Sequence, residues 1–366
     1  MTKPIFDRIA IIGLGLIGSS IARAAHGNRL AGTIVACDAN EVALAYARKH
    51  RFIDDAMSNP AKAAARAGLV ILATPPSTLG HIAEIIAPHL EKGAIVMDVC
   101  SVKQPAIAAI APHIPEGIDF IPAHPIAGSE KSGVEAGRGD LFAHKHVIIT
   151  PDEPLHGNAL QVVTAFWHAL GARVEGMPAA LHDLVYAHVS HLPQLLAFAA
   201  AGPLAAYRDD EALQKFLRLS HSNPAMWAEI FSLNKDNMLK ALDRYLDAIS
   251  HIMDELKTAP AGSESADDER LSHTALFPRI AASCLITTVM EAEKNAGFPF
   301  GRYAGSGFAD FINPAALPPD GDIERISGQY ALVATILSDY VVRLKNLHSA
   351  LDSGDIGRLE KMLAEA

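Results

Sequence analysis

A glycine-rich segment near the start of the sequence has the spacing of a dinucleotide-binding loop. Gly13, Gly15 and Gly18 follow the pattern G-x-G-x-x-G, directly after the apolar segment 8–12. In such a loop the first glycine permits a tight turn, the second lets the backbone approach a pyrophosphate, and the third lets a helix pack closely on a strand. The spacing therefore predicts a dinucleotide site, with the N-terminus of the following helix directed at the phosphates.

An acidic residue follows at the distance that this fingerprint requires. Asp38 lies about 20 residues beyond Gly18, at the end of the next apolar segment. Its carboxylate can accept hydrogen bonds from the ribose hydroxyls of adenosine and would repel a 2′-phosphate, so the sequence predicts NAD rather than NADP. Three further residues complete the predicted cofactor site: Leu16 and Ile17 in the first helical turn, and Thr74 after another apolar segment.

Polar clusters occur where predicted strands end and on the first helix of the second half, at residues 98–103, 123–130 and 188–194. Ligands of a parallel sheet bind at the carboxyl ends of its strands. A dehydrogenase that oxidises an alcohol needs a base for the hydroxyl proton, and histidine, with a pKa of about 6.5, suits this role. His124 is the leading candidate, since it lies between Pro122 and Pro125 in a segment that we interpret as a loop rather than regular strand or helix. His188 and His191 are the next candidates.

The first half of the chain alternates between strand and helix patterns, which is the signature of a doubly wound α/β sheet. Strands are predicted at 8–12, 33–37, 68–73, 94–99, 119–122, 146–150 and 172–177. We therefore expect a Rossmann domain over residues 1–177.

The second half changes to long helical patterns, so we expect an all-helical domain over residues 178–366. Helices are predicted at 179–207, 211–232, 235–257, 273–296 and 324–365, with irregular segments at 258–270 and 298–322. Pro193 is expected to kink the first of these helices. A helical domain attached to a Rossmann domain often supplies a dimer interface, and a homodimer is the expectation here.

Composition narrows the class of protein. The 366 residues are 50% hydrophobic and 20% charged, with a formal net charge of −10, which is typical of a soluble enzyme and disfavours nucleic-acid or anionic-membrane partners. The three cysteines and the 17 histidines have no metal-ligand spacing, so we expect buried thiols and no metal site. The start of the sequence resembles no signal peptide, and the chain has no uninterrupted apolar run of about 18 residues, so we expect a cytoplasmic protein without membrane spans.

Four runs of residues together resemble the prephenate and arogenate (cyclohexadienyl) dehydrogenases. They are G-L-G-L-I-G-S-S at 13–20, D-V-C-S-V-K at 98–103, H-P-I-A-G-S-E-K-S-G at 124–133 and S-H-L-P at 190–193. The resemblance covers roughly residues 8–257. It implies a Rossmann domain, a helical dimerisation domain, and NAD(P)-dependent oxidative decarboxylation of prephenate to 4-hydroxyphenylpyruvate, or of arogenate to tyrosine.

The resemblance also implies roles for individual residues. His124 takes the place of the base that accepts a hydrogen bond from the C4 hydroxyl of the substrate, and Ser101 that of a serine that orients the histidine. Arg218 takes the place of an arginine that holds a substrate carboxylate. The other residues that the resemblance places around the substrate are Lys103, Ser129, Glu130, His191, Gln194 and Trp227.

The chain departs from the family pattern at several positions. Gln194 replaces the second histidine of a common H-L-P-H run, and Lys215 stands where many members have an acidic residue. The family's G-x-G-F-x-D lead-in is missing before Arg218, while a similar run occurs later, at 305–310. These departures leave the choice between prephenate and arogenate open.

Two other interpretations compete with this one. A dehydrogenase of the β-hydroxyacid type would place a catalytic lysine on the first helix after the domain boundary, but that helix, at 179–200, has none. A non-catalytic NAD-sensing protein would not need Ser101, His124 and Arg218 together.

Overall fold

The computed structural model describes residues 3–128, 131–151, 155, 157–257, 270, 272–316 and 330–365. The chain divides into two compact units, Met1–Asp183 and Leu184–Ala366. The division falls within a helix, Ala179–Tyr186, a few residues after the boundary expected at 177. Each unit is described by itself.

The first unit is built on a six-stranded parallel sheet. Its strands are β1 (Phe6–Ile12), β2 (Ala31–Cys37), β3 (Asp55–Met57), β4 (Leu69–Leu72), β5 (Ile95–Asp98) and β6 (Asp119–Phe120), in the order β3-β2-β1-β4-β5-β6. The central strands are apolar on both faces because helices cover both sides of the sheet. This is the strand order of a Rossmann fold, and the predicted fold class is confirmed.

A second sheet of three strands extends the first unit. Strands β7 (Ala123–Pro125), β8 (His146–Ile149) and β9 (Arg173–Gly176) pair in that order, β7 antiparallel to β8 and β8 parallel to β9. The last two strands were predicted, but as a continuation of the main sheet. The expected strand at 119–122 ends at Phe120.

Helices connect these strands, and a last one follows β9. They are α1 (Leu16–Gly27), α2 (Glu41–Lys49), α3 (Pro60–Ala64), α4 (Leu79–Ile86), α5 (Lys103–Ile110), α6 (Ala159–Ala169) and α7 (Ala179–Tyr186). Against the sheet, Phe142 and Phe166 pack edge-on around Trp167, which is fully buried.

The described residues of the second unit form helices and no strand, as predicted. The α-helices are α8 (Leu192–Ala201), α9 (Glu211–Leu217), α10 (Pro224–Leu233), α11 (Lys235–Lys257), α12 (Phe277–Ala296), α13 (Ser306–Ile312), α14 (Tyr330–Ser353) and α15 (Ile356–Ala364). The irregular segment expected at 258–270 lies outside the described residues except for Arg270, as do residues 317–322 of the second irregular segment and the start of the last predicted helix.

Three helices that the sequence presents as continuous are interrupted. Residues Ala187–His191 form a π-helical turn just before Pro193, because a proline lacks the N–H that would continue the α-helical ladder. The helix expected at 211–232 breaks before Pro224, where the Asn223 side chain accepts a hydrogen bond from the N–H of Met226 and caps α10. The last helix breaks at Gly354, whose φ is +73°.

Two helical segments are long and apolar enough to span a membrane by length and composition alone. They are Ala179–Ala201, with mean hydropathy 1.2, and Ser272–Ala296, with mean hydropathy 1.3. Neither was expected, because polar residues interrupt the apolar run of each segment. In the most apolar window of each, 89% and 56% of the residues are buried inside the structure. Buried core helices pass the same test, so these segments are weak evidence for a membrane span.

Candidate active site

The glycine loop between β1 and α1 has the geometry that its spacing predicts. Gly13 has a φ of +100°, and a Cβ there would lie 2.5 Å from the carbonyl oxygen of Ala73. A Cβ on Gly18 would collide with the carbonyl oxygen of Gly13. Beside Gly15, in contrast, no atom lies within 4 Å of an added Cβ. The outer two glycines are therefore required by packing, while the middle one leaves the backbone open to a ligand.

The N-terminus of α1 opens at this loop. The N-cap residue is Gly15, and no side chain caps the first turn formed by Leu16, Ile17 and Gly18. Uncapped N–H groups and the helix dipole favour an anion at such an end. Thr74 lies against the loop, with its methyl carbon 3.0 Å from the Cβ position on Gly13, and its hydroxyl accepts a 2.8 Å hydrogen bond from Thr78.

Asp38 follows β2 and is hydrogen-bonded to the glycine loop. Its Oδ2 accepts a 2.6 Å bond from the N–H of Leu14, and its Oδ1 accepts a 2.7 Å bond from the N–H of Asn40. Each carboxylate oxygen keeps a lone pair for a further donor. A cleft of about 360 Å³ is lined by Leu14, Gly15, Asp38, Asn40, Val42, Ala43 and residues 132–135. These residues fit the adenosine end of a dinucleotide.

His124 lies on a strand, so the interpretation of its segment as a loop is wrong. Strand β7 pairs with β8 so that His124 is opposite Ile148 and Pro125 is opposite Val147. Proline is tolerated here because β7 is an edge strand, and its missing N–H costs no ladder hydrogen bond. The His124 side chain is only 8% exposed, which makes it a fixed group rather than a mobile surface histidine.

His182 and Asp183 on α7 extend from His124 as a hydrogen-bonded chain that the sequence analysis missed. His124 Nδ1 lies 2.8 Å from His182 Nε2, and His182 Nδ1 lies 2.8 Å from Asp183 Oδ1. His182 and Asp183 are both buried. Their one visible signal in the sequence is a pair of polar residues within an otherwise apolar helix.

Lys103 is fully buried and bound to an internal carboxylate. Its ammonium lies 2.5 Å from Asp98 Oδ2 and donates a 2.6 Å hydrogen bond to the carbonyl oxygen of Ala123. Burial raises the pKa of the Asp98 carboxyl, while the Lys103 ammonium and the N–H of Cys100 oppose that shift. The ammonium therefore fixes the backbone next to His124. Ser101 is half-buried just beyond the end of β5.

In the second unit, His191 lies in the π-helical turn and is fully buried. The Asn234 Nδ2 amide lies 3.2 Å from His191 Nδ1. Because an amide nitrogen can only donate, Nδ1 of His191 accepts, and the ring proton of the neutral imidazole is on Nε2. His191 is therefore arranged as a donor through Nε2. The ring of Trp227 is 6.1 Å from that of His191, centroid to centroid, and its buried Nε1 has no hydrogen-bond partner among the described residues.

Gln194 and Arg218 each bind within the second unit. The Gln194 amide donates a 2.6 Å hydrogen bond to the carbonyl oxygen of Leu219, next to Arg218 in the chain. The Arg218 guanidinium is paired with Asp310, which ends the G-x-G-F-x-D run at 305–310. The run that seemed misplaced in the sequence is therefore brought to the arginine by the fold.

Two predicted substrate residues, Ser129 and Glu130, lie outside the described residues. Among those that the structure describes, no group of three or more His, Cys, Asp or Glu side chains is placed to hold a metal ion.

The chain is similar to known proteins over both of its units. Residues 21–176 match the family model for the nucleotide-binding domain of prephenate dehydrogenase, and residues 178–274 match the one for its dimerization domain. Cyclohexadienyl dehydrogenase of Zymomonas mobilis is 33% identical over 74% of this chain and 93% of its own length. Prephenate dehydrogenase of Bacillus subtilis is 30% identical over 67% of this chain and 69% of its own length.

The fold is also similar to those of solved prephenate and arogenate dehydrogenases. Prephenate dehydrogenase of A. aeolicus, in complex with hydroxyphenyl propionate and NAD+, superposes with a TM-score of 0.63 at 30% identity, over 70% of this chain and 91% of that one. Synechocystis arogenate dehydrogenase superposes with a TM-score of 0.55 at 25% identity, over 69% of this chain and 93% of that one. From its sequence, its strand order and these relatives, the chain belongs to the prephenate dehydrogenase family.

Proposed function

We propose that this chain is an NAD-dependent dehydrogenase that oxidatively decarboxylates prephenate to 4-hydroxyphenylpyruvate, arogenate to tyrosine, or both, in tyrosine biosynthesis. The observation that carries the proposal is His124, a buried histidine hydrogen-bonded through Nδ1 on the edge strand β7, in a member of a family whose relatives act on these cyclohexadienyl substrates.

The glycine loop and Asp38 would hold the cofactor. The N–H groups of Leu16, Ile17 and Gly18 would bind the pyrophosphate, and the free lone pairs of Asp38 would accept the ribose hydroxyls. Bound NAD+ supplies the hydride acceptor. A 2′-phosphate would meet the negative charge of Asp38, which favours NAD over NADP. Thr74 would contact the cofactor from the end of β4.

His124 is proposed as the base that takes the proton of the C4 hydroxyl, with Ser101 bonding the same hydroxyl. Oxidation at C4 and loss of the C1 carboxylate as carbon dioxide make the ring aromatic, and this supplies the driving force. The protein then has to align the substrate and accept one proton. His191 fits a different role, because its accepting Nδ1 leaves Nε2 protonated.

Arg218 is proposed to hold a substrate carboxylate, since a guanidinium binds carboxylates in a defined orientation. His191, Gln194 and Trp227 are proposed as further substrate contacts, and Ser129 and Glu130 keep that predicted role. For Lys103 we propose action through the backbone of Ala123, because its ammonium is bound to Asp98.

The chain is further proposed to act as a cytoplasmic homodimer. The match of residues 178–274 to a family dimerization domain supports the assembly. The burial of the apolar segment Ala179–Ala201 supports a location in solution rather than in a membrane.

A side-by-side assay tests the proposal. The purified chain is offered prephenate, arogenate or a simple β-hydroxy acid, each with NAD+ and NADP+, and the reduced nicotinamide and the aromatic product are both measured. We expect NAD+ reduction that requires one or both substrates. A chain that binds NAD+ but reduces it with neither would instead be an NAD-sensing protein. Reduction only with a simple β-hydroxy acid would indicate the β-hydroxyacid class.

A further inference from the structure

The carboxylate of Asp183 caps helix α5, whose own N-cap residue has no side-chain acceptor. Helix α5 begins after Val102, whose side chain offers no hydrogen-bond acceptor. Asp183, distant in sequence, accepts the N–H of Lys103 through Oδ1 at 2.7 Å and the N–H of Gln104 through Oδ2 at 2.8 Å. Two backbone donors and the positive end of the helix dipole stabilise the ionised carboxylate in a site that is only 2% exposed.

An ionised carboxylate determines the tautomers of both histidines. Because it can only accept, His182 must donate to Asp183 through Nδ1. The Nε2 atom of a neutral His182 is then an acceptor, so the hydrogen bond of 2.8 Å to His124 is donated by His124 Nδ1. With its proton on Nδ1, neutral His124 has an unprotonated Nε2.

We propose that His182 and Asp183 are positioning residues that form a relay with His124: they hold His124 with a basic Nε2 and receive charge when that atom takes a proton. This inference rests on the proposed dehydrogenase function for the source of the proton. The O–H bond of the substrate breaks and an N–H bond forms at His124 Nε2. The Nδ1 proton of His124 passes to His182 Nε2, and the resulting imidazolium lies against the Asp183 carboxylate.

Among the described residues, two other ionisable groups lie close to this series of hydrogen bonds, Lys103 and Cys100. Lys103, which follows β5 and begins α5, places its ammonium on Asp98 rather than on Asp183. The buried Cys100 is a poor acid, since burial raises the pKa of its thiol to about 12. Among these groups, Asp183 is the carboxylate that contacts His182.

The tautomers are tested directly by NMR of histidine labelled with 15N in the ring. We expect His124 to carry its proton on Nδ1 in the wild-type chain. A wild-type His124 protonated on Nε2 would overturn the relay. This measurement needs no substrate, so it separates failure of the relay from failure of the proposed function, which would appear as a wild-type chain inactive on both substrates.

Kinetics provide the second test. In Asp183→Asn we expect kcat to fall by on the order of 10²–10⁴-fold, as when a general base is lost, with the Kd for NAD+ and the substrate KM within about twofold. His182→Gln keeps an acceptor for His124 Nδ1 but cannot take a proton. It should retain the wild-type tautomer, lose rate, and shift the acid limb of the kcat profile to lower pH. This variant also decides the case if Asp183→Asn fails to fold.

A control variant separates the relay from the loss of a carboxylate that only accepts a backbone N–H. Asp54 is another carboxylate of the first unit that accepts a backbone N–H, that of Ile34 at 2.7 Å, and no histidine contact is described for it. Asp54→Asn should leave kcat and its pH profile unchanged. If His182→Gln and Asp183→Asn behave like this control, with full kcat and an unshifted acid limb, the two residues are structural and the relay is wrong.

Discussion

The Nε and Nη2 atoms of Arg218 lie 2.8 and 2.7 Å from the same oxygen, Oδ2, of Asp310. The side chains are 31% and 27% exposed, so the pair is open to solvent on one side. Asp310 lies in α13 and Arg218 directly after α9, far apart in sequence. An internal carboxylate therefore already holds the guanidinium that the family resemblance assigns to the substrate, and a substrate carboxylate would share the arginine with Asp310.

Removing this guanidinium should weaken substrate binding. In Arg218→Ala we expect the KM for prephenate or arogenate to rise about tenfold or more, equivalent to at least ~1.4 kcal/mol, with the Kd for NAD+ unchanged. The loss of binding free energy should be at the lower end of the range for a charged pair, because the site is partly exposed to solvent. Lys215→Ala removes an exposed cation one turn earlier and serves as the control. A KM within twofold of wild type in Arg218→Ala would assign the carboxylate to another cation.

Cofactor choice should depend on Asp38. Its charge lies at the adenosine end of the cleft, held by the N–H groups of Leu14 and Asn40. In Asp38→Asn we expect kcat/KM for NADP+ to rise and that for NAD+ to fall, because the repulsion of the 2′-phosphate and one acceptor of the ribose hydroxyls are both lost. Asp55→Asn, which alters an exposed ion pair with Arg48, is the control. Equal use of both cofactors by the wild-type chain would contradict the role of Asp38 in selecting NAD+.

The Rossmann sheet could be predicted from sequence because its signal is local. Buried parallel strands are continuous apolar runs, and the G-x-G-x-x-G spacing fixes where β1 ends and α1 begins. Strand β3 was missed since Asp55–Met57 is short and mixed in polarity. The separate sheet was missed because a strand's sequence does not encode which neighbour it pairs with. The helices of the second unit were predicted. Their breaks at Asn223 and Gly354 were not, because the capping signals at these residues are weak beside the strong helical pattern around them.

The candidate site could be predicted where its residues lie close together in the sequence. It could not be predicted where residues distant in sequence come together only in the fold. The glycine loop and Asp38 have a fixed spacing in sequence. His182 and Asp183 meet His124 only in three dimensions, and the helix α5 that positions Asp183 contributes backbone N–H groups, which leave no trace in residue type. The same applies to Asp310, which was visible in its run at 305–310 but not as the partner of Arg218.

The three cysteines should be inert in the folded chain. Burial raises the pKa of Cys37 to about 11, and those of Cys100 and Cys284 each to about 12, so the thiolate that reacts with a disulfide reagent is scarce at pH 8. We expect Ellman's reagent to detect no fast thiol in the native chain and three after denaturation. A fast thiol in the native chain would show that one cysteine is more accessible than the structure describes.

His188 should make the second unit less stable in mild acid. Burial lowers its pKa, aided by the nearby charge of Arg244, although its hydrogen bond to the Leu184 carbonyl opposes the shift. An unfolded histidine titrates near 6.5, so below about this pH the unfolded chain binds more protons and stability falls. We expect the drop in Tm between pH 7.5 and 5.5 to be smaller in His188→Gln than in wild type. His251→Gln, an exposed change on α11, should leave the drop unaltered; an identical drop in His188→Gln would refute the assignment.

The strongest test of the site is His124→Asn. Asparagine keeps a polar side chain opposite Ile148 on β7, but it cannot take the proton of the C4 hydroxyl. Losing a general base costs about 10²–10⁴-fold in rate, so kcat should fall by that factor while the substrate KM and the Kd for NAD+ change little. In wild type, kcat should fall on the acid side as the imidazole becomes protonated and can no longer accept a proton. That acid limb should vanish in the variant, because the group that titrates is gone. A histidine that only supports the sheet predicts the opposite set of results: a small rate loss, a lower Tm and an intact acid limb. If folded His124→Asn retains the limb, His124 is not the base.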